Sequence, residues 1–155
     1  MTRRTTTRSL CSLVVTLAVA GISSVGVAGA AAVSRSTTVQ QKTAITTNYQ
    51  TFFNGKTPAK TKIKLLQNGS AFTSIIDAQA SSSIAKSTTA KVTSVTVTSS
   101  TKATVKYSIY LAGTAALKNQ RGTAVYLQGS WKVGTSSFCA LLALEGTKTK
   151  ACPAK

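Results

Sequence analysis

The sequence predicts an α+β domain with three N-terminal helices, a four-stranded antiparallel sheet and a short C-terminal helix. Two observations predict this fold. Between Ile45 and Gln79 the apolar residues recur with the period of a helix, whereas from Thr88 onward they recur with a period of two. Helices that precede a run of strands, instead of alternating with them, are typical of an antiparallel sheet with segregated helices.

Three helices are predicted before the sheet. Asn54-Gly55 ends the first. The second begins where Thr57 can act as the N-cap and Pro58 fits the first helical position, and Asn68-Gly69 stops it. Ser70 can cap the third. The positions with helical spacing are Ile45, Tyr49 and Phe52 in the first helix, Ile63 and Leu66 in the second, and Phe72, Ile75, Ile76 and Gln79 in the third.

Four strands are predicted after the helices. The clearest is KATVKYSIYL, residues 102–111, whose side chains alternate between an apolar and a polar face. Residues 91–98 precede it, and residues 122–128 and 131–133 flank a hairpin connection at Gly129-Ser130. The apolar face of the clearest strand consists of Ala103, Val105, Tyr107, Ile109 and Leu111, and its polar face of Lys102, Thr104, Lys106, Ser108 and Tyr110.

Two other segments of the C-terminal half are interpreted as a loop and a helix. Residues 113–120 have no clear period and are predicted to be a less regular loop. After the last strand, Ser136 or Ser137 can cap a short helix that Gly146 ends. Helical spacing favours this helix over a fifth strand, and the spaced residues are Phe138, Leu141, Leu142 and Glu145.

Residues 1–32 are predicted to be a cleaved signal peptide. Three arginines precede an apolar stretch from Leu10 to Ala20, and small residues follow with candidate cleavage sites at 28–30 and 30–32. The alternative is an uncleaved anchor, because the whole segment from Leu10 to Ala32 is uncharged.

After cleavage, the exported chain is predicted to consist of a flexible spacer and one domain. Residues 33–40 are polar and form the spacer. Residues 41–155 form the single α+β domain, which is long enough for one hydrophobic core. The predicted location is therefore secreted, extracellular or associated with the cell wall.

The exported domain is strongly basic. Of the 19 basic residues in the chain, 16 remain after the three N-terminal arginines are removed, and two acidic residues make the net charge +14. Such a protein accumulates near polyanions through an attraction that salt screens. Of these 16 basic residues only Arg35 and Arg121 are arginines. This argues against a protein dedicated to nucleic-acid recognition, because arginine is preferred for bidentate phosphate recognition.

Two cysteines remain in the exported domain, Cys139 and Cys152. In an oxidising compartment, an isolated pair this close in sequence predicts a disulfide bond. A redox or metal-binding pair is the alternative. It is disfavoured because the spacing is not CxxC and the chain has no histidine.

Two segments carry a resemblance to a known family. YQTFFNGKTPAKTKIKLLQNG and the later GSWKVGTSSFCALLALEG resemble the low-molecular-weight secreted antigen family of mycobacteria and related actinobacteria, over about residues 44–146. The resemblance implies export, no established enzymatic activity, and a fold of the nuclear transport factor 2 and cystatin-like group. In that group helices pack across a strongly curved sheet and can enclose an apolar pocket.

The titratable residues argue against catalysis and metal binding. The chain has no histidine, and its two carboxylates are Asp77 and Glu145 on different predicted helices. A general acid–base pair needs two groups of different pKa within hydrogen-bond reach, and zinc or calcium needs several His, Cys or carboxylate ligands. No enzymatic activity, cofactor or metal is therefore predicted.

The candidate functional residues are aromatic residues and lysines. Tyr107, Tyr126 and Trp131 either line a ligand pocket or fill the core, and Tyr110 lies on the polar face of its strand. The lysines predicted to contact an anionic surface are Lys60, Lys62, Lys64, Lys102, Lys106, Lys148 and Lys150.

Two functions are consistent with these residues. The first is a non-enzymatic envelope or extracellular binding or structural protein that associates with anionic envelope polymers or lipid headgroups. The alternative is a carrier of a small apolar ligand in a pocket between the helices and the curved sheet. The sequence does not predict an oligomeric state.

Overall fold

The structure is a computed structural model that describes residues 29–152, and their side chains from residue 37 onward. Within that part no helix is both long enough and apolar enough to cross a membrane. Most of the predicted signal peptide, residues 1–28, lies outside the described residues. The elements are α1 (Gly29–Phe53), α2 (Ala59–Leu65), a 3-10 turn (Gly69–Phe72), α3 (Thr73–Ser81), α4 (Ser83–Lys86), β1 (Thr88–Ser99), β2 (Lys102–Leu111), β3 (Thr114–Leu127), β4 (Ser130–Val133) and α5 (Thr135–Leu144).

The predicted α+β class is confirmed. The four strands pair in chain order, β1-β2-β3-β4, and every pair is antiparallel. The last hairpin turns at Gln128 and Gly129, which both have positive φ angles of 53° and 75°. Two consecutive residues with positive φ form a hairpin turn whose twist matches that of the flanking strands. The turn therefore lies one residue earlier than the predicted Gly129-Ser130.

The predicted loop at residues 113–120 is wrong, because β3 begins at Thr114. Its pairing with β2 shifts register on both sides of Ile109, so extra residues interrupt the alternation that reveals a strand. Ser108 remains on the polar face, where it is the cross-strand partner of Lys91 in β1. Ser108 is buried, and its hydroxyl accepts a hydrogen bond from the backbone N–H of Asn119 at 3.2 Å.

The core lies between α1, the inner face of the sheet and α5. The predicted helical stripe is buried, and Phe53 joins it. Phe53 stacks on Tyr107 of β2 with ring centroids 5.5 Å apart, and Phe52 meets Phe138 of α5 edge to face at 5.3 Å. Such aromatic pairs add to the stabilisation that burial provides. The helix α1 is thereby fixed to the sheet on one side and to α5 on the other.

The spacer predicted at residues 33–40 is helical, because α1 begins at Gly29. The apolar stripe that identifies this helix starts only at Ile45, and Val39 is 59% exposed. None of the side chains of residues 37–44 is buried, so a periodic pattern could not reveal this part of the helix. The boundary of the domain at residue 41 stays a prediction.

The two predicted N-caps of the second and third helices are wrong. The Thr57 hydroxyl donates to the carbonyl of Thr51 at 2.7 Å instead of accepting from α2, and no side chain caps α2 or α3. Ser70 lies in the 3-10 turn before α3. The end of α2 is held instead by β4, because the N–H of Gln67 donates to the carbonyl of Val133 at 2.8 Å.

Candidate functional site

The face of the sheet that points away from the core is basic and exposed. We call it the outer sheet face. The core residues of α1 and α5 pack on the inner face, and α5 reaches the outer sheet face only at its margin, where the Ser136 hydroxyl lies 3.4 Å from the Thr123 hydroxyl. Both carboxylates of the chain lie outside the sheet, so none offsets the cations. The outer sheet face consists of Lys91, Ser94, Thr96, Lys102, Thr104, Lys106, Arg121, Thr123, Val125 and Lys132.

Two cations face each other across neighbouring strands. Lys106 of β2 is the direct partner of Arg121 of β3, and Ser94 of β1 lies on the other side of Lys106. Both charged side chains are exposed. Directly opposed side chains in an antiparallel pair have Cβ atoms about 5 Å apart, so two like charges there are destabilising.

A row of three threonines lies next to this cation pair. Thr96, Thr104 and Thr123 are cross-strand neighbours on β1, β2 and β3. On the far side of the row, Lys102 pairs with Val125, which in turn pairs with Lys132 of β4. The outer sheet face therefore alternates cations, hydroxyls and cations along the strand direction.

Lys132 connects this face to α2. Its ammonium group donates a hydrogen bond to the carbonyl of Lys64, in the last turn of α2, at 2.6 Å. A cation at the C-terminal end of a helix satisfies free carbonyls there. Lys64 is itself exposed, so the basic surface continues from β4 onto the end of α2.

The seven predicted contact lysines do not form one patch. Lys102, Lys106 and Lys64 belong to the outer sheet face or border it, whereas Lys148 and Lys150 lie on the exposed segment after α5 and Lys60 on the first turn of α2. Sequence reasoning missed Lys91 on β1, and it missed Arg121 and Lys132. Only the cross-strand register places these two beside Lys106 and Lys102.

Lys62 is not an open surface contact. It is half-buried in a small cavity of about 20 Å³ between the helices, beside Phe52, Gln79 and Glu145. Burial lowers the pKa of the Lys62 ammonium, and the Glu145 carboxylate partly opposes that shift. Gln79 donates to Glu145 at 2.6 Å, so this carboxylate joins two helices. The cavity has room for about one water molecule.

The predicted aromatic residues separate into core and surface. Tyr107 and Trp131 are buried, with 1% and 4% of their surface exposed, and both fill the core. Tyr126 is 40% exposed and contacts Trp131 edge to face at a centroid distance of 5.4 Å. These three residues therefore do not line a shared ligand pocket.

A buried network of hydroxyl groups joins α1, β3 and α5. The Tyr49 hydroxyl donates to the carbonyl of Thr123 at 2.6 Å and accepts from the Ser137 hydroxyl at 2.9 Å. The Ser137 oxygen accepts in turn from the Thr123 N–H at 3.2 Å, and the Tyr107 hydroxyl donates to the Ser137 carbonyl at 3.4 Å. No buried side-chain polar atom in the described part lacks a partner.

Burial shifts the pKa values of the two tyrosines in this network. Burial raises the pKa of Tyr49, the hydrogen bond with Ser137 partly opposes the shift, and Tyr107 adds to it. Burial also raises the pKa of Tyr107. Both hydroxyls are therefore neutral at physiological pH and are enclosed by the core. Sequence reasoning missed the network, because a tyrosine on an apolar stripe has the same pattern as a phenylalanine.

The predicted disulfide bond joins Cys139 of α5 to Cys152, with Cα atoms 5.7 Å apart. It holds the segment after α5 against that helix. An open groove of about 920 Å³ lies beside it. The groove is lined by small and polar residues: Gln120, Ser136, Cys139, Ala140, Ala143, Gly146, Thr147, Lys148, Thr149 and Cys152.

Replacing Arg121 by glutamate is expected to stabilise the domain. The change converts a like-charge pair with Lys106 into an opposite-charge pair, which contributes about 0.2–1 kcal/mol across an antiparallel sheet. Urea unfolding would measure the difference. Arg121→Gln, which only removes the repulsion, should fall between the wild type and Arg121→Glu. A glutamate variant less stable than the glutamine variant would contradict the geometry of the pair.

The fold and the surface define a small α+β domain whose outer sheet face is basic. In the described part of the chain, no three His, Cys, Asp or Glu residues lie close enough to hold a metal ion. The chain belongs to the family described as the C-terminal domain of the low molecular weight antigen MTB12. The model of this family matches residues 38–149. The resemblance found in the sequence is thereby confirmed. No curated protein and no solved structure matches the chain.

Proposed function

We propose that this protein is an exported, non-enzymatic protein that associates with anionic polymers of the cell envelope through the outer sheet face. The observation that carries the proposal is the concentration of five cations on one face without any carboxylate: the exposed Lys91, Lys102, Lys106 and Arg121, and the half-buried Lys132. A field of one sign raises the local concentration of oppositely charged partners.

Export is supported by the disulfide bond and by the N-terminal pattern. Disulfides persist in oxidising compartments and are rare in the cytosol, so Cys139–Cys152 fits an extracellular protein. The cationic, apolar and small-residue regions of residues 1–32 fit a signal peptide. The family description names an antigen, which agrees with a protein outside the cytoplasm.

A non-enzymatic role is supported by the placement of the few titratable groups. Glu145 is hydrogen-bonded to Gln79 beside a cavity of about 20 Å³, which is far smaller than the several hundred Å³ of a ligand site. Asp77 is exposed on α3. The two buried tyrosines are enclosed by the core. The family is described as an antigen, and its description names no reaction.

Washing intact cells with about 1 M salt is expected to release the protein, because the Debye length then falls to roughly 3 Å and screens exposed charges. Each exposed lysine gains a fraction of a kcal/mol from one anionic group, so retention is multivalent and readily screened. The released fraction would be measured by immunoblot. A sucrose wash of the same osmolality controls for osmotic damage. Retention that salt does not change would contradict the proposal and favour an uncleaved anchor at residues 10–32.

One observation supports the carrier function. It is a groove beside α5, whereas the predicted pocket lay between the helices and the sheet. The cavity between the helices is too small, but the open groove beside α5 has a volume within the range of ligand sites. Native mass spectrometry of the exported protein tests it. A bound apolar molecule that is lost when Ala143 is replaced by tryptophan would support the carrier function, and a ligand-free mass would exclude it.

A further inference from the structure

We propose that the outer sheet face binds a linear anionic polysaccharide laid along the strand direction, with its acidic groups on the cation rows and its sugar hydroxyls on the threonine row. This inference rests on the proposed function and specifies its ligand class. The first cation row is Lys106 with Arg121, the threonine row is Thr96, Thr104 and Thr123, and the second cation row is Lys102 with Lys132.

The spacing of the rows suits a polymer that carries hydroxyl groups between its acidic groups. Residues on one face of a strand repeat about every 7 Å, so Lys102 and Lys106 are separated by about 13 Å with Thr104 between them. Lys102 and Lys132 are two strands apart, or about 10 Å. A polymer with hydroxyl groups between its acidic groups can therefore contact both kinds of row at once.

The hydroxyl row distinguishes this surface from a general patch of positive charge. Thr96 and Thr123 are exposed and Thr104 is half-buried, and the strand geometry points all three to the same side. The Thr123 hydroxyl also lies 3.4 Å from the Ser136 hydroxyl. A threonine hydroxyl can both donate and accept a hydrogen bond, as a sugar hydroxyl can. A ligand without hydroxyl groups between its charges would leave this row without a partner from the ligand.

Nucleic acid fits this face less well. Proteins that bind single strands stack successive bases on exposed aromatic side chains. Among the residues of the outer sheet face there is none, because Tyr107 and Trp131 are buried in the core and Tyr110 is half-buried beyond the cation rows. Arg121 is the only arginine on the face, although arginine is the preferred residue for phosphate and base contacts.

A membrane surface also fits less well. Proteins that lie on membranes combine cations with large apolar side chains that enter the boundary of the acyl chains. The outer sheet face carries one apolar residue, Val125, which is half-buried. Its chemistry is that of cations and hydroxyls, which favours a hydrated acidic polymer.

The test compares two double variants of equal charge. Lys106→Gln with Arg121→Gln removes the first cation row, whereas Lys42→Gln with Lys86→Gln removes two exposed lysines from α1 and α4, which lie on the helical side. The probe is an oligomer of polygalacturonate, which has one carboxylate per sugar. We expect calorimetry at low salt to give about tenfold weaker binding for the first variant, and less than twofold for the second, because local contacts outweigh net charge.

A third variant tests the threonine row at unchanged charge. Thr96→Val with Thr104→Val keeps β-branched side chains on the strands and removes two hydroxyls. We expect about threefold weaker binding of polygalacturonate and unchanged binding of polyphosphate of the same charge. Circular dichroism and urea unfolding of every variant establish that the fold is retained.

The outcomes separate the two proposals. Equal losses in the two charge variants would overturn the outer sheet face as the binding site in both proposals and leave only association through the net charge of the protein. Two results would overturn the proposal that the ligand is a polysaccharide. One is an equal effect of the threonine variant on the binding of polygalacturonate and of polyphosphate. The other is tighter binding of a single-stranded oligonucleotide than of polygalacturonate. No binding of any polyanion by the wild-type protein would overturn both proposals.

Discussion

Replacing Gly122 by alanine is expected to lower the free energy of unfolding by about 3 kcal/mol. A Cβ atom at this position would lie 2.3 Å from the Ser137 hydroxyl oxygen, 2.6 Å from the Tyr49 hydroxyl and 2.9 Å from a ring carbon of Tyr107. These groups are buried and bonded to each other, so none can move without breaking a hydrogen bond. Overpacking costs about 1–3 kcal/mol, and an unsatisfied buried polar group about as much again.

The matched control is Gly113→Ala. Gly113 has a positive φ of 81° and no atom within 4 Å of an added Cβ, so alanine there carries only the backbone cost of about 1–2 kcal/mol. Combining Gly122→Ala with Ser137→Ala removes one of the clashing atoms. The double variant should therefore lose less stability than the sum of the single variants. An unfolding midpoint of Gly122→Ala equal to that of the wild type would refute the tight packing around the network.

Removing the disulfide bond by Cys139→Ala with Cys152→Ala is expected to destabilise the domain by about 3 kcal/mol. The bond closes a loop between residues 13 apart, and the chain-entropy model assigns about this value to a loop of that length. The segment after α5 has few other attachments. Among them are the hydrogen bonds from the Thr147 N–H to the Leu142 carbonyl at 2.8 Å and from the Cys152 N–H to the Thr149 carbonyl at 3.2 Å.

The measurement is urea unfolding with and without reductant. Reductant should lower the midpoint of the wild type and leave that of the double variant unchanged. Binding to anionic polymers should be nearly the same in both, because neither cysteine lies on the outer sheet face. Two freely alkylated thiols in the exported protein would contradict the disulfide.

The elements with strong periodicity could be predicted from the sequence. The stripe of Ile45, Tyr49 and Phe52 identified α1 because a helix with one buried face repeats its apolar residues every turn. The alternation in residues 102–111 identified β2 in the same way, since its inner residues are buried by α1. The disulfide followed from two cysteines left in a domain predicted to be exported.

The elements that depend on partner strands could not be predicted. The bulges beside Ile109 concealed the first half of β3, because an extra residue reverses the alternation. Which residues lie side by side on the outer sheet face depends on the pairing register between strands, and the sequence of one strand does not determine that register. The lysines at 60, 62 and 64 are close in sequence, yet residues two apart on a helix point in different directions, and this is why Lys62 is half-buried.

The most direct test of the central claim, that the outer sheet face binds the anionic polymer, is an amide NMR titration of the exported protein with polygalacturonate. We expect saturable shifts concentrated at residues 94–96, 102–106, 121–125 and 132, which diminish as salt is added. Shifts confined to the groove beside α5, or spread evenly over every exposed lysine, would contradict it.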